Sequence, residues 1–577
     1  MRGRVRPQNL DFQWFCAWFF YAGKIKVLRP DPKGFVSGNE REVSVMSRRV
    51  MAFIAALCLL TAATLLGAGC GSKTTTESTM EVPQLDSGPI SGTLEDGVWT
   101  YLGIPYAAPP TGELRWKEPQ PVEPWEEALA CDDYGPACPQ EKDDWTGMMD
   151  VGYTDEDCLY LNVWTPAESP DEGLPVMVWI HGGAFRSGAG SLEIYDGHNL
   201  ADKDMVVVTI NYRLGALGLM AHPLLSEESP NGVSGNYGLF DQVAALAWVQ
   251  ENIDALGGDP DNVTVFGESA GGMSILDLMT SPLAEGLFDR AIVESGPMLD
   301  LGLPINEVPT LEEAEKTGEE ISEELGCDKQ EDELAALRDA TPDELMMASS
   351  GDNQFFSPIN LSPNIDGYLL PESPSEAFAA GRQQAVPLLT GINANEGTIF
   401  LPDVTLNQYQ LMGNYLYGEY ADEVEALYPA QTEAEAKPAM DRLITQMGFG
   451  ASARFTAESM EKVSSPAYLY LFTRAPQDPR TQGLGTFHGL EIMYVFGNLD
   501  KVELQGLSDV DYTLSEAMME YWTGFAKAGD PNGGEAPVAW PAYTAGAAAY
   551  QELGETITTK ADLFQQAYDL VLQLNGL

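Results

Sequence analysis

From residue 174 onward the chain alternates short apolar runs with longer stretches whose apolar residues recur every three or four positions. The runs are LPVMVWIHGG (174–183), MVVVTINYR (205–213), NVTVFGES (262–269), FDRAIVESG (288–296), VPLLTGINANEG (386–397) and PAYLYLF (466–472). A strand with one wet face alternates apolar and polar residues. Runs apolar at nearly every position predict strands covered on both faces, as in a parallel sheet. Between them, LFDQVAALAWVQENIDALGG (239–258) has helical spacing and stops at Gly257 and Gly258, residues that end helices by adopting backbone angles others avoid. Strand, helix and strand in succession predict an α/β protein with a doubly wound, mostly parallel sheet flanked by helices. The stretch 311–345 is dominated by acids and predicts exposed helices. No internal repeat is visible.

Upstream the pattern changes. Met46-Ser47-Arg48-Arg49 precedes the apolar run VMAFIAALCLLTAATLLGAG (50–69), which ends at Cys70 and gives way to GSKTTTEST. A charged start, an apolar centre and small residues at the end make a secretory signal peptide. Ala68-Gly69-Cys70 and the polar tether resemble a bacterial lipoprotein signal, in which Cys70 is lipidated and becomes the first mature residue. Gly67, where such signals prefer Leu, departs from that pattern. Simple secretion is an alternative, and so is an uncleaved anchor, since about 20 apolar residues also span a bilayer. Residues 1–45, with the aromatic stretch FQWFCAWFFYAG, read as an upstream mis-start or an extended leader. The expected organisation is 1–45 leader or mis-start, 46–69 signal peptide, 70–80 tether and 81–577 one α/β domain. The expected location is exported, held at the cell surface through Cys70 or secreted, with membrane contact only through an N-terminal lipid.

Charge sharpens that boundary. The 577 residues carry a formal net charge of −56, and residues 1–50 hold ten Lys and Arg against four acids. Everything after them is strongly acidic, which excludes a nucleic-acid binder, because phosphate recognition needs the opposite sign. Hydrophobic residues at 44% exclude a wholly disordered chain. No Cys-x2-Cys or His-x3-His spacing occurs, so a zinc site is disfavoured; neither metal nor cofactor is expected. Of seven cysteines, Cys131, Cys138, Cys158 and Cys327 lie beyond the leader, where an oxidising compartment favours pairing.

The candidate chemistry begins at Gly267-Glu268-Ser269-Ala270-Gly271. A bare Gly-x-Ser-x-Gly is weak in a chain with 57 glycines. Placed between the strand NVTVF and the helix-like AGGMSILDLM, it becomes a nucleophile elbow, whose glycines give the cramped turn room. A serine nucleophile needs a base, and the histidines are His181, His198, His222 and His488. In the chain order nucleophile, acid, histidine of an α/β-hydrolase fold, only His488 follows Ser269. His198 and His222 read as structural, and His181 as a structural part of the loop after it. Candidate acids between them are Asp366, Glu396 and Asp403. Glu396 is chosen because it closes an apolar run and abuts Gly397, at the carboxyl end of a parallel strand. His181-Gly182-Gly183 follows another strand and matches an HGG-type oxyanion loop. The candidate donors are the N–H groups of Gly182, Gly183 and Ala270.

These segments carry a resemblance. YLGIPYAAPPTGELRW (101–116), EDCLYLNVWTP (156–166), VWIHGGAF (178–185), NYRLGALG (211–218), GNYGLFDQ (235–242), GGDPDNVTVFGESAGG (257–272), GINANEGTIF (391–400) and HGLEIMYVFG (488–497) resemble the type-B carboxylesterases, the family of cholinesterases and bacterial para-nitrobenzyl esterases. The resemblance covers nearly all of 80–577. It implies an α/β-hydrolase fold, a Ser269, Glu396 and His488 triad, a Cys138–Cys158 disulfide and an ion pair between Arg213 and Asp241. It also implies a small-molecule ester as substrate. A second disulfide common in the family is not implied here: Cys327 stands where one partner belongs, and Ala336 aligns with the other. Trp145 lies in a loop of different length from the cholinesterase loop whose tryptophan contacts choline, so choline specificity is not carried over. Other readings are a lipase or peptidase on the same fold, or a binding module, which the presence of all three triad residues argues against.

Overall fold

Each of the six apolar runs from residue 174 onward becomes a strand of one sheet in the computed structural model, which describes residues 80, 82–140, 150–299, 308–349, 361–401, 404–502, 504–534 and 536–577. The leader, Cys70, most of the tether, Trp145 and Asp403 lie outside the described residues. The chain divides at Glu77/Ser78, and the description concerns the C-terminal unit.

In chain order the strands are β1 (Thr93–Glu95), β2 (Val98–Pro105), β3 (Tyr160–Thr165), β4 (Leu174–Ile180), β5 (Val206–Ile210), β6 (Gly258–Glu268), β7 (Arg290–Glu294), β8 (Leu388–Asn393), β9 (Ala467–Phe472), β10 (Ala549–Leu553) and β11 (Thr558–Ala561). Among the described residues they form one eleven-stranded sheet in the order β11-β10-β9-β8-β7-β6-β4-β5-β3-β2-β1. From β5 to β10 all neighbours are parallel. β3, β2 and β1 continue antiparallel on one side, and β11 closes the other. Every residue of β5, β8 and β9 is buried. The rim strands β1 and β11 are exposed at every residue and short, and Glu95 and Lys560 put charges on them, which discourages pairing with another sheet edge.

Successive side chains of a strand point to opposite faces, and in β4 both faces are apolar. Val176, Val178 and Ile180 enter one core with Leu246 and Val249 of helix α1 (Tyr237–Asn252) and Ile275 of α2 (Ala270–Leu278). Met177 and Trp179 enter the other core with Met518 and Trp522 of a long C-terminal helix. Two cores on two faces are what the unbroken apolar runs demanded. The acidic stretch begins as α3 (Leu311–Leu325), which buries Ala314, Gly318, Ile321 and Ser322 and turns its glutamates outward. Downstream, α4 (Glu433–Leu443) widens into a π-helix over Ile444–Gly450 and resumes as α5 (Ala451–Ser459). The long C-terminal helix is α6 (Asp509–Ala528).

Cys138 and Cys158 are joined by a disulfide, whereas Cys131 and Cys327 are buried and unbridged. Arg213 and Asp241 form a buried fork: Nε donates to Oδ2 at 2.8 Å and Nη2 to Oδ1 at 2.7 Å. The Arg213 main-chain N–H adds a third bond, to Oδ2 at 2.9 Å.

Candidate active site

Ser269 sits between the last residue of β6 and the first of α2 with φ +56° and ψ −120°. Such angles cost a non-glycine residue about 1–3 kcal/mol, so the surroundings have to enforce them. Ser269 N–H donates to the Glu294 carbonyl of β7 at 2.9 Å, and Met273 N–H donates to the Ser269 carbonyl at 2.8 Å. The flanking glycines are obligatory: a Cβ on Gly271 would lie 1.9 Å from the Ile180 carbonyl oxygen. Strand β4 thereby runs directly under the elbow.

The loop leaving β4 is pressed against the same elbow. A Cβ on Gly182 would come within 3.1 Å of Ser269 Cβ, and Gly183 has φ +104° with the Ser187 carbonyl oxygen where its Cβ would stand. His181 braces this loop. Its Nδ1 lies 2.8 Å from the Gly182 carbonyl, its ring stacks on Tyr212 at 4.3 Å, and Tyr212 Oη donates to the His181 carbonyl at 2.7 Å. Burial lowers its pKa to about 4, so the ring is neutral and Nδ1–H is the donor. Because Tyr212 adjoins Arg213, the buried fork to Asp241 fixes this brace in turn. Gly182, Gly183 and Ala270 thus surround the elbow, and Ala270 opens α2, where the first N–H groups have no partner within the helix.

Glu396 and His488 meet as an acid and base would. His488 Nδ1 lies 2.6 Å from Glu396 Oε2, and the other oxygen, Oε1, accepts from Ser295 Oγ and from Asn393 N–H, each at 2.6 Å. Three donors fix the plane of this fully buried carboxylate. Asp366 belongs elsewhere: it accepts from Asn236 Nδ2, Tyr368 N–H and Leu370 N–H and shapes a turn. His222 caps a short helix through Leu224 N–H, and His198 opens another.

Sequence reasoning named Glu268 only as the variable residue of the elbow. The structure places its Oε1 3.0 Å from His488 Nε2. Burial, then the charges of Glu396 and Glu294, push its carboxyl well above the usual range. Two further buried carboxyls, Glu294 and Glu491, were missed altogether. Glu294 Oε1 accepts from Trp522 Nε1 at 2.8 Å, and Glu491 accepts from Asn393 Nδ2. Burial raises both, Glu294 to about 8. An acid ending an otherwise apolar strand, as Glu294 does, was the signal available. Among the described residues no group of three or more His, Cys, Asp or Glu is arranged to hold a metal.

The Carboxylesterase family profile matches residues 78–571. The chain is 40% identical over 476 residues to fumonisin B1 esterase of Sphingopyxis macrogoltabida, covering 80% of this chain and 84% of that protein. It is 38% identical over 503 residues to para-nitrobenzyl esterase of Bacillus subtilis, covering 84% and 96%. A solved PNB esterase structure superposes with a TM-score of 0.73 at 38% identity, covering 85% of this chain and all of that one. The α/β-hydrolase fold and the ester-hydrolysing relatives agree, and the chain belongs to the carboxylesterase family of carboxylic ester hydrolases.

Proposed function

We propose that this protein hydrolyses small-molecule carboxylic esters through an acyl-enzyme on Ser269, with His488 as base and Glu396 as its orienting acid. The observation that carries the reading is the fully satisfied Glu396 carboxylate at 2.6 Å from His488 Nδ1, facing an elbow that adjoins the Gly182 loop. Glu396 keeps the Nδ1 proton in place and stabilises the imidazolium. Nε2 takes the proton of Ser269 as Oγ attacks the ester carbonyl. The N–H groups of Gly182, Gly183 and Ala270 receive the oxyanion. His488 then protonates the leaving alcohol, and water repeats the cycle in reverse roles.

The test is hydrolysis of para-nitrophenyl esters of increasing acyl length, with a fluorophosphonate label, on the parent and Ser269→Ala. The parent turns over and labels, and Ser269→Ala does neither while keeping its melting curve. A folded parent that neither turns over nor labels overturns the reading. Export through the 46–69 segment with lipidation at Cys70 is part of the same proposal, supported by the signal grammar and by a disulfide suited to an oxidising compartment. Cys70→Ala then moves the protein from the membrane fraction to the medium.

A further inference from the structure

The acid and the base of the site are both supported from one helical segment. At the end of α4, Asp441 Oδ1 accepts from Gly397 N–H and Oδ2 from Asn395 Nδ2, each at 3.0 Å. Those donors flank Glu396. Thr445 Oγ1 donates to Asp441 Oδ1 at 3.2 Å. Four residues further on, the buried Phe449 ring lies 5.1 Å from the His488 imidazole. Phe400 lies 4.9 Å from the same imidazole and is parallel to Phe449 within 2°. The imidazole therefore has two phenyl rings on one side, with carboxyls at both nitrogens, Glu396 on Nδ1 and Glu268 on Nε2.

Asp441, Thr445 and Phe449 are spaced by four. In an α-helix each such step rotates the side chain by about 40° beyond a full turn, so the third residue would point about 80° away from the first. Here the segment Ile444–Gly450 is a π-helix, in which Ala451 N–H bonds the Gln446 carbonyl five residues back. The wider turn cancels the drift, so one line of side chains serves both Glu396 and His488. π-helical turns are rare and cost hydrogen-bond geometry, so a sequence retains one where it gains a placement.

We propose that the π-helical segment Ile444–Gly450 positions the triad: Phe449, acting through His488, backs the imidazole beside Phe400 and holds it on the line from Glu396 to Ser269. The proposal rests on the triad reading above. Phe449 is a positioning residue, and its removal leaves Ser269, the oxyanion donors and Glu396 in place. The imidazole then tilts away from its hydrogen bond, and misplacements of about 1 Å cost on the order of 100-fold in rate.

The experiment compares the full protein with Phe449→Ala, Phe449→Leu and Asp441→Asn on para-nitrophenyl acetate, whose acyl group is too small to need a wall. The far-downfield proton resonance of a histidine Nδ1–H bonded to carboxylate is recorded alongside. Phe449→Ala is expected to lower kcat by 10- to 100-fold with KM within threefold, and to broaden or lose the downfield resonance. Phe449→Leu, which refills most of the space, recovers kcat to within fivefold. An unchanged kcat and resonance in Phe449→Ala overturn the proposal, as does a loss confined to KM, which would make Phe449 a substrate wall. Should Phe449→Ala not fold, Asp441→Asn with parental kcat and resonance overturns it as well. A parent that fluorophosphonate does not label fails the triad reading itself and is told apart by that label.

Discussion

Replacing Glu396 by Gln changes one oxygen for one NH2 and tests the assignment at the atom where it matters. Glu396 Oε1 faces Asn393 N–H, a main-chain donor that cannot turn away, and Ser295 Oγ, each at 2.6 Å. Oε2 faces His488 Nδ1 at 2.6 Å. A glutamine keeps one acceptor, and the fixed Asn393 donor draws it to the Oε1 position. Its NH2 group is left facing Nδ1, where two donors cannot meet. The imidazole relieves this by moving its proton to Nε2, the atom that must be bare to accept the Ser269 proton. The same tautomer error in a Ser-His-Asp triad costs about 10⁴ in kcat, or about 5.5 kcal/mol of barrier. We expect folded Glu396→Gln to hydrolyse para-nitrophenyl butyrate about 10⁴ more slowly at nearly parental KM. Fluorophosphonate labelling should slow in proportion, with Glu396→Asp falling in between. A Glu396→Gln protein that melts like the parent and retains more than a tenth of its kcat would refute the assignment.

Opening the disulfide with Cys158→Ser releases a loop of sequence separation 20 and should cost about 3 kcal/mol of stability by loop entropy, read as a lower urea midpoint. Dithiothreitol should do the same to the parent and nothing to the variant. Asp241→Ala strands the buried Arg213 guanidinium and should cost about 3–5 kcal/mol in the same assay. Glu294, raised by burial from the ordinary 4.5 to about 8 in the fold, stays protonated where the unfolded chain has already ionised. Its contribution is full below about pH 4.5 and is lost as pH rises toward 8, at no more than about 1.4 kcal/mol per pH unit. Glu294→Gln keeps the Trp522 bond and should flatten the fall in stability between pH 5 and 8. An unchanged slope would remove Glu294 from that account.

The parallel strands were legible because burial on both faces leaves an unbroken apolar signature, as in β5 and β9. The antiparallel flank was not. β2 pairs with β3 across an irregularity between Tyr101 and Ile104, and its YLGIPY carries Gly103 and Pro105, which read as a turn. The elbow and the Gly182 loop were legible because each is written within a few consecutive residues. Glu268 against Nε2, Glu294 under Trp522 and Phe449 beside the imidazole arise only when distant segments meet. The π-helix leaves no periodic trace either, since seven residues including Gly448 and Gly450 mark no face.

The order of strands in the sheet also sets a timetable for the ribosome. β4, which carries the Gly182 loop, is made before β6 yet has to end up between β5 and β6, and His488 arrives 92 residues after Glu396. On the proposed triad, a nascent chain halted between Ser269 and His488 carries a nucleophile with no base. Reactivity would then be acquired only late in synthesis, and fragments left by its interruption would be chemically silent.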